Sequence, residues 1–97
     1  MGWKVVFSLR SQQDVERIVK FIARDDPAAA ERIGLTLINK AESLADAPES
    51  GVVMVQRPGT RFFPVGVYLV IYRIEPSDAT VRILRFWHGA RGKRPLR

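Results

Sequence analysis

Tyr68-Leu69-Val70-Ile71-Tyr72-Arg73-Ile74 is apolar at both its odd and its even positions. A strand with that pattern cannot rest either face on water, so it belongs in the middle of a sheet, with neighbours on both edges. In a chain of 97 residues there is material for one domain to build those neighbours, and no second. The reading is therefore a single domain over residues 1–92, followed by a basic tail at 93–97.

The rest of the chain supplies the neighbours. Trp3-Lys4-Val5-Val6-Phe7-Ser8 alternates, with Trp3, Val5 and Phe7 on one face, and reads as a short first strand. Ser11 followed by Asp14 is a capping-box-like helix start, with Asp14 complementing the positive helix end. Val15, Ile18, Val19 and Ile22 then fall at i, i+3, i+4 and i+7, one stripe of an amphipathic helix ending near Arg24. Asp25-Asp26-Pro27 stops that helix and opens a second, in which Asp26 caps and Pro27 takes the first position. Ala30, Ile33, Leu37, Ala41 and Leu44 share a side of the second helix, which Ala47-Pro48-Glu49-Ser50-Gly51 terminates.

Residues 52–55 form a further short strand candidate, and Pro64 confines Arg61-Phe62-Phe63-Pro64 to a strand end or an edge. Val65-Gly66-Val67 reads as a tight turn into the central strand, and Glu75-Pro76-Ser77-Asp78 as the hairpin turn leaving it. In residues 80–87, strict alternation puts Arg82, Leu84 and Phe86 on one face and Val81, Ile83, Arg85 and Trp87 on the other. The order β-α-α-β-β-β predicts an α+β fold: an N-terminal strand, an αα-hairpin, then a three- to four-stranded antiparallel sheet with the hairpin on one face. The other face is expected to meet a partner.

Composition narrows the function. There is no Cys, which excludes disulfides, a Cys-held zinc and a thiol nucleophile, and the single His88 excludes a His-pair metal site. No cofactor and no metal are expected. No apolar run approaches the roughly 18 residues of a membrane span. Residues 1–7 carry one Lys and no signal-peptide core, so the expectation is a soluble cytoplasmic protein. The net charge is +6, and it is uneven. Residues 1–56 hold seven basic and eight acidic side chains, whereas 57–97 hold nine basic and two acidic. That second part projects a positive field toward a polyanion or an acidic protein segment.

Taken in order, these pieces resemble one family, the RelE/ParE toxins of bacterial type II toxin–antitoxin systems. The resemblance rests on the opening Trp3–Ser8 strand, Asp14-Val15-Glu16-Arg17-Ile18, Asp26-Pro27-Ala28-Ala29-Ala30, Leu44-Ala45-Asp46-Ala47-Pro48-Glu49-Ser50-Gly51, the central strand, and the ending His88-Gly89-Ala90-Arg91. It covers the chain to about residue 92 and looks more like the ParE branch than the RelE branch. It implies a toxin neutralised by an acidic antitoxin segment that orders on binding, in a hetero-oligomeric complex. The ParE branch implies poisoning of DNA gyrase, and the RelE branch cleavage of messenger RNA on the ribosome.

RNA cleavage by 2′-hydroxyl attack needs groups that take a proton, give one, and stabilise the developing phosphate charge. For that alternative the candidates are His88, Arg91 and Arg61. The set is depleted: Leu69 stands where the RelE branch carries a basic residue, and no Tyr follows Arg91. A non-enzymatic toxin is therefore the favoured expectation, with His88, Arg91, Lys93 and Arg94 as target-binding residues. Arg61, Tyr68, Tyr72, Arg73, Arg82 and Arg85 are the antitoxin-binding candidates. A second alternative is a small basic nucleic-acid-binding module. Plainer roles stand beside these: His88 as a strand-end residue fixing the tail, Tyr68 and Tyr72 as packing residues, Trp3 and Trp87 as core or subunit anchors. Arg82 and Arg85, on opposite faces, can serve one site only singly, leaving the other a surface ion pair.

Overall fold

Ser8, and not Ser11, opens the first helix. In the computed structural model, which describes residues 2–89, Ser8 is extended and its hydroxyl accepts the Ser11 N–H at 3.0 Å. The helix α1 runs Leu9–Ala23. Ser11 is buried one turn in and donates its hydroxyl back to the Ser8 carbonyl at 2.8 Å. The second helix, α2, runs Pro27–Glu42 with the expected start: the Asp26 carboxylate accepts the Ala29 N–H at 3.0 Å, and Pro27 stands in the first turn, where its missing donor costs nothing. A turn of tighter helix at Ser43–Ala45 follows, so Leu44 keeps its place on the stripe of Ala30, Leu37 and Ala41.

Five strands make the sheet: β1 (Lys4–Phe7), β2 (Val52–Val53), β3 (Thr60–Val65), β4 (Tyr68–Glu75) and β5 (Thr80–His88), in the spatial order β1-β5-β4-β3-β2. The four strands after the helices are antiparallel, and β1 joins β5 in parallel at one edge. The doubly apolar strand β4 is the middle one, with Val70, Ile71 and Tyr72 fully buried. Pro64 lies inside β3, but β2 reaches only Phe62 and Arg61, so the proline faces no ladder on its outer side. Gly66 and Val67 close the β3–β4 hairpin. Gly66 has φ +60 and Val67 does not, the two-residue turn whose first position favours glycine.

Strict alternation in β5 fails at one residue. Ile71 stands opposite Arg85 and Tyr72 opposite Ile83, so Leu84 is an extra residue, a β-bulge. Beyond it the strand has shifted phase, and Phe86 joins Val81 and Ile83 in the core instead of sharing a face with Arg82. That core gathers Leu37, Ala41 and Leu44 beneath Val70, Tyr72, Val81, Ile83 and Phe86, with Val15, Ile18, Val5 and Phe7 at its margin. Burying each large apolar side chain contributes about 1.5–3 kcal/mol, the term that fixes the helical hairpin to one sheet face. The opposite face carries Leu69 beside Trp87, Ile71 beside Arg85, and Arg73 beside Arg82.

Candidate functional site

Three of the four arginines expected at the antitoxin surface, Arg61, Arg82 and Arg85, are individually committed. Arg82 donates to both carboxylate oxygens of Glu75, Nε at 3.1 Å and Nη2 at 3.2 Å. That paired hydrogen bond holds the Glu75 carboxyl below its ordinary range and raises Arg82, with Arg73 adding a weaker pull on Glu75. Arg61, opposite Tyr72 on β4, donates to the carbonyls of Gly51 at 2.9 Å and Glu49 at 3.3 Å. Tyr72 is fully buried; its hydroxyl donates to the Pro48 carbonyl at 2.6 Å and accepts the Gly51 N–H at 2.9 Å. Burial pushes its phenol up despite the Gly51 bond. Arg61 and Tyr72 thus fasten the turn after α2 to the sheet. Tyr72, expected at the antitoxin surface, is withdrawn from any partner's reach.

Arg85 and Asp14 form the arrangement that sequence reasoning missed. The buried Asp14 carboxylate accepts Arg85 Nε at 2.7 Å and Nη2 at 3.0 Å, the Phe86 N–H at 3.0 Å, and Arg17 Nη1 at 3.2 Å. The hydrogen bonds it donates to Asp14 raise the Arg85 guanidinium. Register explains the position: β1 covers β5 only as far as Ile83, and beyond it the outer edge of β5 would show unpaired backbone groups. The Ser8 hydroxyl donates to the Leu84 carbonyl at 3.0 Å, and Asp14 takes the next amide at Phe86. Asp14 therefore serves a strand edge 72 residues away, not the helix end assigned to it. The available signal was a carboxylate on the apolar stripe side of α1, four residues before Ile18.

His88 ends β5 with its ring edge-on to Tyr68, centroids 5.2 Å apart. Both line a cleft of about 300 Å³ with Asp14, Arg17, Ile18, Phe21, Ile22, Phe86 and Trp87. On its other side Tyr68 lines a second cleft, about 340 Å³, with Arg32, Ile33, Thr36, Leu37, Val65, Gly66 and Val67. Trp87 carries the Arg85 guanidinium 5.2 Å over its ring, and Trp3 packs at the core margin. Arg91, Lys93 and Arg94 lie outside the described residues.

Of the three RNase candidates, the two described, His88 and Arg61, stand apart, and the third, Arg91, lies outside the described residues. His88 pairs with Tyr68, and Arg61 with Tyr72, four residues along β4. At about 3.3 Å per residue these stations are roughly 13 Å apart, and Arg61 is held by two carbonyls. A proton acceptor and a phosphate-stabilising cation must meet one reacting group within hydrogen-bond reach, and these two do not. Among the described residues, no three His, Asp or Glu side chains are grouped to hold a metal, and no helix is long and apolar enough to cross a membrane. The described surface carries two clefts with apolar walls, one bordered by Arg17 and the other by Arg32.

Comparison with known proteins shows the family. Residues 5–92 match the family model described as the ParE toxin of the type II toxin–antitoxin system parDE. The toxin RelE1 of Caulobacter vibrioides is 32% identical over 89 residues, covering 92% of this chain and 96% of that one. The chromosomal ParDE system of P. aeruginosa contains a chain that superposes with a TM-score of 0.78 at 14% identity, covering 90% of this chain and 96% of that one. A chain of the Mycobacterium tuberculosis RelBE2 toxin–antitoxin complex superposes at 0.69 with 25% identity, covering 91% and 99%.

Proposed function

This chain belongs to the ParE toxin family of type II toxin–antitoxin systems, and from that premise we propose that it arrests growth by binding DNA gyrase, without cutting RNA. The carrying observation is the separation of His88, whose ring lies edge-on to Tyr68, from Arg61, which is held by the Gly51 and Glu49 carbonyls. A toxin that acts by occupying its target needs no proton relay, only an accessible, shaped surface. His88 at the end of β5, with Arg91, Lys93 and Arg94 after it, forms the target-contacting region in this reading. The cognate antitoxin covers the toxin in a cytoplasmic hetero-oligomer until it is released.

Purified toxin is expected to inhibit supercoiling by gyrase or trap cleaved DNA, with Arg91→Ala weakening the effect and antitoxin reversing it. Intact supercoiling at a stoichiometric excess of toxin refutes the proposal. A second reading, ribosome-dependent cleavage of messenger RNA, is favoured by the relative named RelE1 and by the likeness to RelBE2. It requires codon-phased cuts on translating ribosomes, lost in His88→Ala.

A further inference from the structure

The last residues of β5 are held at both edges, and they hold in place a side chain that the core does not use. Val81, Ile83 and Phe86 of this strand are buried. Trp3 packs against the core they form, whereas Trp87 is half-buried outside it, across from Leu69. β1 ends opposite Ile83, so no described strand lies outside Trp87. Its backbone is fixed on either side all the same. The Phe86 N–H donates to Asp14 at 3.0 Å, and the Gly89 N–H donates to the Val67 carbonyl at 2.7 Å. The ring is fixed as well. The Arg85 guanidinium lies 5.2 Å from its centroid and gives two hydrogen bonds to the buried Asp14. It can swing away from the indole only by breaking an enclosed ion pair. A large aromatic ring left half on water and locked in one orientation has the form of a binding anchor.

We propose that Trp87 anchors the toxin in its target, entering an apolar socket edged by carboxylates, and that Arg85, held by Asp14, is the positioning residue that presents the ring. This rests on the gyrase reading above and names the contact that carries it. Continuity assigns the ring to the target: the target-binding set expected from sequence, His88, Arg91, Lys93 and Arg94, begins one residue later and omits it. Charge complementarity describes the socket. The one carboxylate of Asp14 answers both Arg85 and the 69% exposed Arg17, and Arg91, Lys93 and Arg94 follow in the sequence, so the surplus charge is positive. A rigid aromatic ring with that surplus beside it matches an apolar pocket with an acidic rim. Because Arg85 and Asp14 orient the indole before contact, little rotamer freedom is left to lose on binding.

Supercoiling by gyrase, titrated with the full-length toxin, tests this beside calorimetric titration with the cognate antitoxin. Trp87→Ala is expected to raise the toxin concentration for half-inhibition at least about thirtyfold. Trp87→Phe, which keeps a ring and guards against a misfolded alanine variant, should raise it about fivefold or more while antitoxin affinity stays at wild type. Arg85→Lys keeps the charge but loses the planar fork, and should raise it about tenfold. In a Trp3→Phe background Trp87 is the sole tryptophan, and Arg85→Lys should shift its emission spectrum. Lys40→Ala removes an exposed positive charge in the last turn of α2 and should inhibit as wild type. Wild-type potency in both Trp87 variants overturns the anchor while leaving the gyrase reading standing. An unshifted spectrum or wild-type potency in Arg85→Lys overturns the positioning role. Equal losses of inhibition and antitoxin affinity in Trp87→Phe overturn the assignment in favour of a structural role. Salt-sensitive binding of single-stranded DNA alone, lost in Trp87→Ala, overturns it in favour of base stacking. A wild-type toxin that leaves supercoiling intact overturns both readings together.

Discussion

Replacing Asp14 by Ala is expected to be among the most damaging single changes in the molecule, although the residue touches no proposed target. Its carboxylate accepts four hydrogen bonds. The bond from Arg17 comes from a side chain 69% exposed and is worth at most about 0.5 kcal/mol. The other three are shielded: Arg85 is 12% exposed and the Phe86 amide is buried. Removing the carboxylate strands a nearly enclosed guanidinium and an unsatisfied strand amide, which costs about 3–5 kcal/mol. A domain this size holds about 5–15 kcal/mol in total. At about 4–8 °C per kcal/mol, Tm should fall by roughly 15 °C or more. Urea denaturation followed by circular dichroism measures the loss, and the double variant Asp14→Ala/Arg85→Met separates its causes. With the cation gone too, the double variant should recover about 2 kcal/mol relative to the sum of the singles. A Tm shift under about 4 °C, equivalent to ~1 kcal/mol, or strict additivity in the cycle, refutes the claim that this pair ties α1 to the end of β5.

Three further substitutions test the geometry. Tyr72→Phe deletes the hydroxyl that bridges Pro48 and Gly51 and leaves the Gly51 amide buried without that partner, so urea denaturation should show a loss of about 1–3 kcal/mol. Since burial holds the Tyr72 phenol above its ordinary 10.0, wild-type stability should decline as pH rises past 10.0, and that component should be missing from Tyr72→Phe. At Gly51 a Cβ would stand 2.5 Å from the Tyr72 hydroxyl oxygen and 2.8 Å from the Phe62 carbonyl oxygen; Gly51→Ala should cost about 1–3 kcal/mol of stability, and a neutral result would mean that the turn yields freely. The carboxyl of Glu75 is held low by Arg82, so its contribution is whole above pH 4.5 and lost as pH falls below that; acid titration of Glu75→Gln should show a shallower acid limb than wild type.

Much of the fold was legible because it is written in local periodicity. The stripe of Ala30, Leu37, Ala41 and Leu44, the Asp26-Pro27 start and the doubly apolar β4 each report their place through neighbours a few residues away, and each stands where its pattern put it. The Gly66 turn and the hairpin after Glu75 were equally local. The first helix began two residues before the predicted capping box because Ser8 and Ser11 are chemically interchangeable as caps. In the fold Ser8 takes the cap, its hydroxyl also donating to the distant Leu84 carbonyl, a contact no local pattern announces.

By itself, then, the order of amino acids determined one sheet, one helical hairpin, the side of each helix that is buried, and a chain rich in arginine toward its end. Tertiary structure decided what those arginines do. The extra residue at Leu84 shifts the phase of β5, and β1 stops at Ile83, so Asp14 and Arg85, 71 residues apart, become partners. The same folding draws Tyr72 inward and leaves Tyr68 between two open clefts. Pairing between distant charges depends on register and on where a neighbouring strand ends, and neither is encoded in a spacing of three, four or two residues.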